Sequence, residues 1–195
     1  MLERYSKGLK SFFLEIKNLN LFPNQQLKIL DIGCADYSMF EDIKDFEIDV
    51  DAIDSDVNKI ILAPPNNIVH YAHENIINYN PIDDKKYNII FDSHAIHCIT
   101  DLEDRKKALE NIYNLLSPEG LFMSEMMVVP SQKDLFYYFP KRVVLPAHFI
   151  ETEILELNFK IKYFMVSPNL YFEDGYGTGQ KCELLRFVAQ KKLTD

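Results

Sequence analysis

The chain has 195 residues, 47% of them hydrophobic and 26% charged, with a formal net charge of −9. That length and apolar content fit one domain with ample core, and the acid excess argues against broad binding of a phosphate backbone, which needs clustered Lys and Arg. Three cysteines, Cys34, Cys98 and Cys182, are too scattered for a Cys-x-x-Cys motif and odd in number, so neither a disulfide framework nor a metal ribbon is expected and a reducing cytoplasm is the simplest setting. Met1-Leu2-Glu3-Arg4-Tyr5 shows no signal-peptide core, and no apolar run approaches about 18 residues, so neither export nor membrane spanning is expected.

In chain order, Leu2, Tyr5, Leu9, Phe12, Phe13 and Ile16 recur at helical spacing and predict an amphipathic helix before Pro23, a helical cap over residues 1–22. Leu27-Lys28-Ile29-Leu30 reads as a strand running into Asp31-Ile32-Gly33-Cys34-Ala35-Asp36, and a second strand ends at Ala52-Ile53-Asp54. A glycine turn after one strand, with a carboxylate about 20 positions later at the tip of the next, is the layout of a nucleoside-binding α/β unit. Gly33 lets the backbone approach a ligand, and Asp54 suits ribose hydroxyls. A dinucleotide turn wants further glycines where this chain has Ala35 and Ser38, which disfavours NAD.

Pro64-Pro65 cuts short the helix after Asp54. Strands are predicted near 67–72, 87–93 and 120–128. Between the last two, Thr100-x-x-Glu103 predicts a capping box for a helix with Leu109, Ile112, Leu115 and Leu116 facing inward. Residues 129–147 read as an insertion carrying Phe136-Tyr137-Tyr138-Phe139-Pro140-Lys141-Arg142. The last strands, near 159–166 and 181–190, flank a loop with Gly175, Gly177 and Gly179 that reads as a flexible connection.

The turn at Asp31-x-Gly33-x-Ala35 resembles motif I of the class I S-adenosylmethionine-dependent methyltransferases. Tyr87-Asn88-Ile89-Ile90-Phe91-Asp92-Ser93-His94-Ala95-Ile96-His97-Cys98-Ile99 is similar to the family's fourth-strand motif, with Asn88 in place of the usual Asp. Leu115-Leu116-Ser117-Pro118-Glu119-Gly120-Leu121-Phe122 resembles its turn before strand five, and Glu151 to Lys160 resembles its last helix, with Asn158 as the left-handed cap where Gly is usual.

The resemblance implies a doubly wound α/β fold in a single domain, 1–195: a mostly parallel seven-stranded sheet, helices on both faces and a C-terminal antiparallel hairpin. It implies S-adenosyl-L-methionine as cofactor, with Asp31, Gly33, Ala35, Asp54, Ser93 and either Glu74 or Asn75 on the cofactor side. Asp31 is expected to orient the cofactor's ammonium group. His94 suits proton removal near neutral pH, while His97 reads as structural, and without a third ligand the pair predicts no metal site. Tyr138 and Arg142 are the candidate acceptor-side residues, Arg142 for an anionic group. A small-molecule acceptor is expected, with no bulk nucleic acid and no membrane partner. The rivals are a protein that keeps the cofactor without turnover and, third, an NAD-dependent oxidoreductase; neither the acceptor atom nor the oligomeric state is fixed by the sequence.

Overall fold

A computed structural model describes residues 2–22, 26–44, 47–131, 133, 135–173 and 178–193. Helix α1 (Leu2–Asn18) precedes β1 (Leu27–Ile32), β2 (Ile48–Asp54), the single turn α2 (Val57–Ile60), β3 (Val69–His73) and β4 (Tyr87–Ser93). Then follow α3 (Leu102–Leu115), β5 (Leu116–Val129), β6 (Tyr137–Phe139), β7 (Arg142–Pro146), α4 (Ala147–Glu156), β8 (Phe159–Glu173) and β9 (Lys181–Lys191).

The sheet runs β3-β2-β1-β4-β5-β9-β8, parallel through β5 and antiparallel at β9 and β8. That is the expected seven-stranded core. Strands β6 and β7 are additional: they turn the expected 129–147 insertion into a hairpin followed by the start of α4. β7 lies parallel to the end of β5 through Val128↔Leu145, while β9 flanks β5 on its other edge. Hence β7 sits just beyond the tip of β4.

Apolar runs bury both faces of the parallel strands. On one face α1 contributes Leu9, Phe12, Phe13 and Ile16 against Ile29, Val50, Ile89 and Phe91. On the other, Ala108, Leu109, Ile112 and Leu115 of α3 and Ile150 and Ile154 of α4 pack on Leu30, Ile90 and Phe122. Burial of a side chain such as Phe12 contributes roughly 1.5–3 kcal/mol.

Several expectations are corrected in detail. Asp101, not Thr100, is the N-cap of α3: its carboxylate accepts from the Asp104 N–H at 2.9 Å, and Asp outranks Thr in that role. β5 begins at Leu116 and β8 continues to Glu173, longer than the apolar runs suggested. Asn158 does cap α4 in the left-handed region, with φ 63°. Glu119 adopts φ 58°, and Gly120 follows it because a Cβ there would meet the Ser117 carbonyl at 2.9 Å and the Tyr87 carbonyl at 3.1 Å. Pro23, Gly175 and Gly177 lie outside the described residues; of the loop read as flexible, 167–173 belong to β8 and 178–180 are described, with Gly179 at φ 73°.

Candidate functional site

At the carboxyl ends of β1, β2 and β4 lies a cavity of about 450 Å³, the position where open α/β sheets bind ligands. Gly33, Asp54, Glu74, Asn75, Ser93 and His94 all line it. Ile32, Ile53, Ile76, Ile77 and Ile99 supply apolar walls. Its charged lining is Asp54, Glu74, Asp101 and Asp104, and no Lys or Arg joins them among the described residues.

The turn after β1 explains how Asp54 is aimed. Gly33 and Cys34 donate their N–H groups to the Ile53 carbonyl, tying the turn to β2. Ala35 adopts a left-handed φ of 54° and donates its N–H to Asp54 Oδ2 at 2.9 Å, while Asp56 donates to Oδ1 at 2.8 Å. Each carboxylate oxygen has one further lone-pair site. Ala35 therefore shapes the site through its backbone and does not line the cavity.

Gly33 has φ 77°, and a Cβ built there would lie 2.6 Å from Ala95 Cβ and 3.3 Å from the Ser93 carbonyl. The approach it permits is first to the tip of β4. Its role as an open approach for a ligand is thus inseparable from its packing.

Asp31 is fully buried behind the lining. It accepts from Ser38 Oγ at 2.6 Å and from Ser93 Oγ at 2.7 Å. Burial pushes its carboxyl up to about 6, against the opposing pull of the two hydroxyls. Ser38 also accepts from the Phe40 N–H and begins a 3-10 turn over Met39–Asp42. Among the described residues this is the one helical turn between β1 and β2, and no long helix starts at the glycine turn.

Asp92, buried one strand away, accepts from Ala95 N, Ile96 N and Ser124 Oγ and so shapes the loop after β4. Within that loop His94 has φ 63°, sparsely populated for a residue with a Cβ. Its Nε2 lies 3.0 Å from Glu125 Oε1 on β5. Glu125 is buried, and its other oxygen accepts from Arg186 Nε on β9 at 2.6 Å. Burial works to raise the Glu125 carboxyl, but the His94 bond and the Arg186 charge outweigh it and hold the group below its ordinary range. Arg186 continues to the Gly8 carbonyl of α1 at 3.2 Å and lies over the Phe12 ring.

His97 is buried with Nδ1 lacking a hydrogen-bond partner among the described residues, and burial drives it toward the neutral form. Its ring packs edge-on to His94 at 5.5 Å, consistent with the structural role expected of it.

Of the expected acceptor-side residues, Tyr138 is 68% exposed and does not line the cavity. It alternates on β6 with buried Tyr137 and Phe139, so the pleat turns it outward. Arg142 is half-buried at the start of β7, where it donates to Met127 Sδ at 3.0 Å. β7 packs on the Ile96–Cys98 turn, and the Arg142 charge acts on His97 and Cys98. Cys98 itself lines the cavity.

Sequence reasoning missed Glu125, Arg186, Asp101 and Asp104. The readable signal for the first two was a charge inside an otherwise apolar buried strand: Glu125 among Met123, Met126 and Met127, and Arg186 between Leu185 and Phe187.

The model of a methyltransferase domain family matches residues 30–124, which hold the glycine turn, Asp54 and the β4 tip. No curated protein matches the chain. Among solved structures, an S-adenosylmethionine-dependent methyltransferase from Clostridium acetobutylicum superposes with TM-score 0.69 at 15% identity, covering 96% of this chain and 92% of that one. The N-methyltransferase NodS from Bradyrhizobium japonicum, in complex with S-adenosyl-L-homocysteine, gives TM-score 0.64 at 17% identity, covering 96% and 86%. The [4+2]-cyclase SpnF gives 0.71 at 13% identity, covering 94% and 82%, so this fold also carries other chemistry. The domain match and the fold built around it agree: residues 30–124 match a methyltransferase domain, and the chain has the fold of S-adenosylmethionine-dependent methyltransferases.

Proposed function

We propose that this chain transfers a methyl group from S-adenosylmethionine to a small anionic molecule. The observation that carries the cofactor part of the reading is the composition of the cavity: isoleucine walls, a carboxylate fixed at the tip of β2, and charged groups of one sign. The anionic acceptor rests on Arg142 of β7, a strand that packs beside the turn after β4. A sulfonium cofactor is cationic at both its sulfur and its ammonium, which suits four carboxylates. A dinucleotide brings a diphosphate instead, and the chain offers it neither a Lys or Arg in the described lining nor a long helix N-terminus after β1. This favours S-adenosylmethionine over the NAD alternative.

In this reading Asp54 accepts hydrogen bonds from the ribose hydroxyls with the lone pairs its backbone donors leave. Ile76, Ile77 and Ile99 enclose the adenine, and Glu74 or Asn75 takes its amino group. Ser93 and the Gly33 turn hold the methionine end, with Asp31 supplying negative charge beneath them. The cofactor, when bound, supplies an activated methyl group; the protein's task is to align the acceptor with it and exclude water. His94 stands at the cavity wall as the proton acceptor. Arg142, brought beside the β4 loop by the β6–β7 hairpin, holds the acceptor's anionic group. A reducing cytoplasm fits Cys98, a thiol that lines the cavity and has no disulfide partner.

The test is product formation from methyl-labelled S-adenosylmethionine across a panel of small carboxylic acids and phosphate esters. Labelled product establishes turnover. Cofactor binding with no product from the panel or from a metabolite extract would instead favour a protein that keeps the cofactor without turnover, the reading that the shared fold of SpnF keeps in view.

A further inference from the structure

We infer that Glu125 is a positioning residue that fixes the tautomer of His94, and that the pair serves an acceptor whose nucleophilic atom carries a proton, a hydroxyl or an N–H rather than a thioether or tertiary amine. The inference rests on the methyl-transfer reading. Glu125 reaches His94 across a strand boundary, from β5 to the loop after β4, and is held on its far side by Arg186. An ionised carboxylate only accepts, so the hydrogen on this bond belongs to His94 Nε2 and the lone pair of the neutral ring is on Nδ1. His94 is one of the residues that line the cavity.

Both the strained backbone of His94 and the burial of Glu125 support a built arrangement. Other groups act on it: Asp92 on β4, His97 and Cys98 in the loop, and Arg186 on β9. Arg142 on β7 and Arg105 on α3 bear on His97 behind it. When a protonated nucleophile reacts, its lone pair forms the bond to the methyl carbon and the electrons of the broken carbon–sulfur bond stay on sulfur. Its proton passes to Nδ1 of His94, and Glu125 balances the resulting imidazolium before the proton leaves to water. An acceptor without a proton on its nucleophilic atom makes no use of such a pair.

Glu125→Gln gives a sharp test because an amide has one acceptor oxygen. Arg186 Nε–H, which cannot lose its proton, claims that oxygen, and the amide nitrogen then donates to His94 Nε2. The proton of the neutral ring moves to Nδ1. Nitrogen-15 NMR of the imidazoles at alkaline pH, with His94 assigned by the signal lost in His94→Gln, is expected to show Nε2–H in the wild type and Nδ1–H in Glu125→Gln. A wild-type His94 protonated on Nδ1, or a variant with unchanged tautomer, overturns the inference; the wild-type spectrum decides alone if the variant does not fold.

The kinetic arm uses labelled S-adenosylmethionine with phenols, primary amines, thioethers and tertiary amines. Glu125→Gln is expected to lower kcat by about a hundredfold or more, with KM for the cofactor unchanged, as the loss of a general base does. Turnover confined to thioethers or tertiary amines overturns the inference. Calorimetry showing no cofactor binding by the wild type sinks the methyl-transfer reading itself, a result separate from the tautomer measurement.

Discussion

Asp54 is where a single side chain carries most of the binding account. Both its oxygens are aligned by backbone donors, so Asp54→Asn keeps the shape of the turn and removes charge and acceptor capacity. Losing a charge-assisted acceptor costs about 1.5–3 kcal/mol, which is roughly a ten- to hundredfold loss of cofactor affinity. Calorimetry with S-adenosylhomocysteine reads this directly; unchanged affinity would remove Asp54 from the site. Asp31 behaves differently because it is buried without a counter-charge. Its carboxyl rises from 3.8 to about 6 on folding, so folding favours the protonated form. That contribution is complete below the unfolded value and lost as pH rises through the folded one, a difference of about 3 kcal/mol. Asp31→Asn, whose amide the two serine hydroxyls can reorient to meet, should match the wild-type Tm near pH 4 (about the unfolded carboxyl value) and exceed it at neutral pH and above. Parallel Tm curves for the two proteins would contradict this. Gly33 was legible as a glycine that its turn requires, but not which neighbour requires it. With φ 77° and Ala95 Cβ only 2.6 Å from where a side chain would begin, Gly33→Ala should cost on the order of 1–3 kcal/mol of stability before any ligand is added.

At the scale of elements, α3 shows how local chemistry and tertiary pinning divide the work. Asp101 caps it, so Asp101→Ala should cost about 1 kcal/mol in urea denaturation while Thr100→Ala changes little; equal effects would restore Thr100 as the cap. The capping-box pattern misled because two good capping residues stand side by side and the sequence does not rank their backbone angles. Further along, buried Arg105 makes a two-pronged contact with Glu153 of α4 and donates to the Ile96 carbonyl. It thereby clamps the loop that carries His94 to both helices. Removing one partner of such a pair strands the other, so Arg105→Ala should destabilise by about 3 kcal/mol, Glu153 keeping partial access to water. A urea midpoint unchanged in Arg105→Ala would show the clamp to be dispensable. The hairpin of β6 and β7 was legible only as an aromatic insertion. Its strands are short, and what fixes them is pairing with the end of β5, which no local periodicity encodes.

For the molecule as a whole, the parallel order through β5 and the terminal antiparallel pair were readable because each glycine or asparagine turn follows an apolar run in the order of the family's motifs. Much of the cavity lining was readable for the same reason: Gly33, Asp54, Glu74, Asn75 and Ser93 all sit within a residue or two of a strand end. What stayed hidden are the contacts that join distant segments, His94 to Glu125, Glu125 to Arg186 and Arg186 to Gly8 of α1, since their partners lie 31, 61 and 178 positions apart. Tyr138 illustrates the opposite error, an aromatic neighbour of the site in sequence that the pleat of β6 turns to solvent. The central claim is that the acidic, isoleucine-walled cavity takes a sulfonium nucleoside. Isothermal calorimetry with S-adenosylmethionine and NAD, at low and high salt, tests it most directly. The account predicts S-adenosylmethionine binding that weakens with salt and in Asp54→Asn, and no binding of NAD; NAD binding with none of S-adenosylmethionine would contradict it.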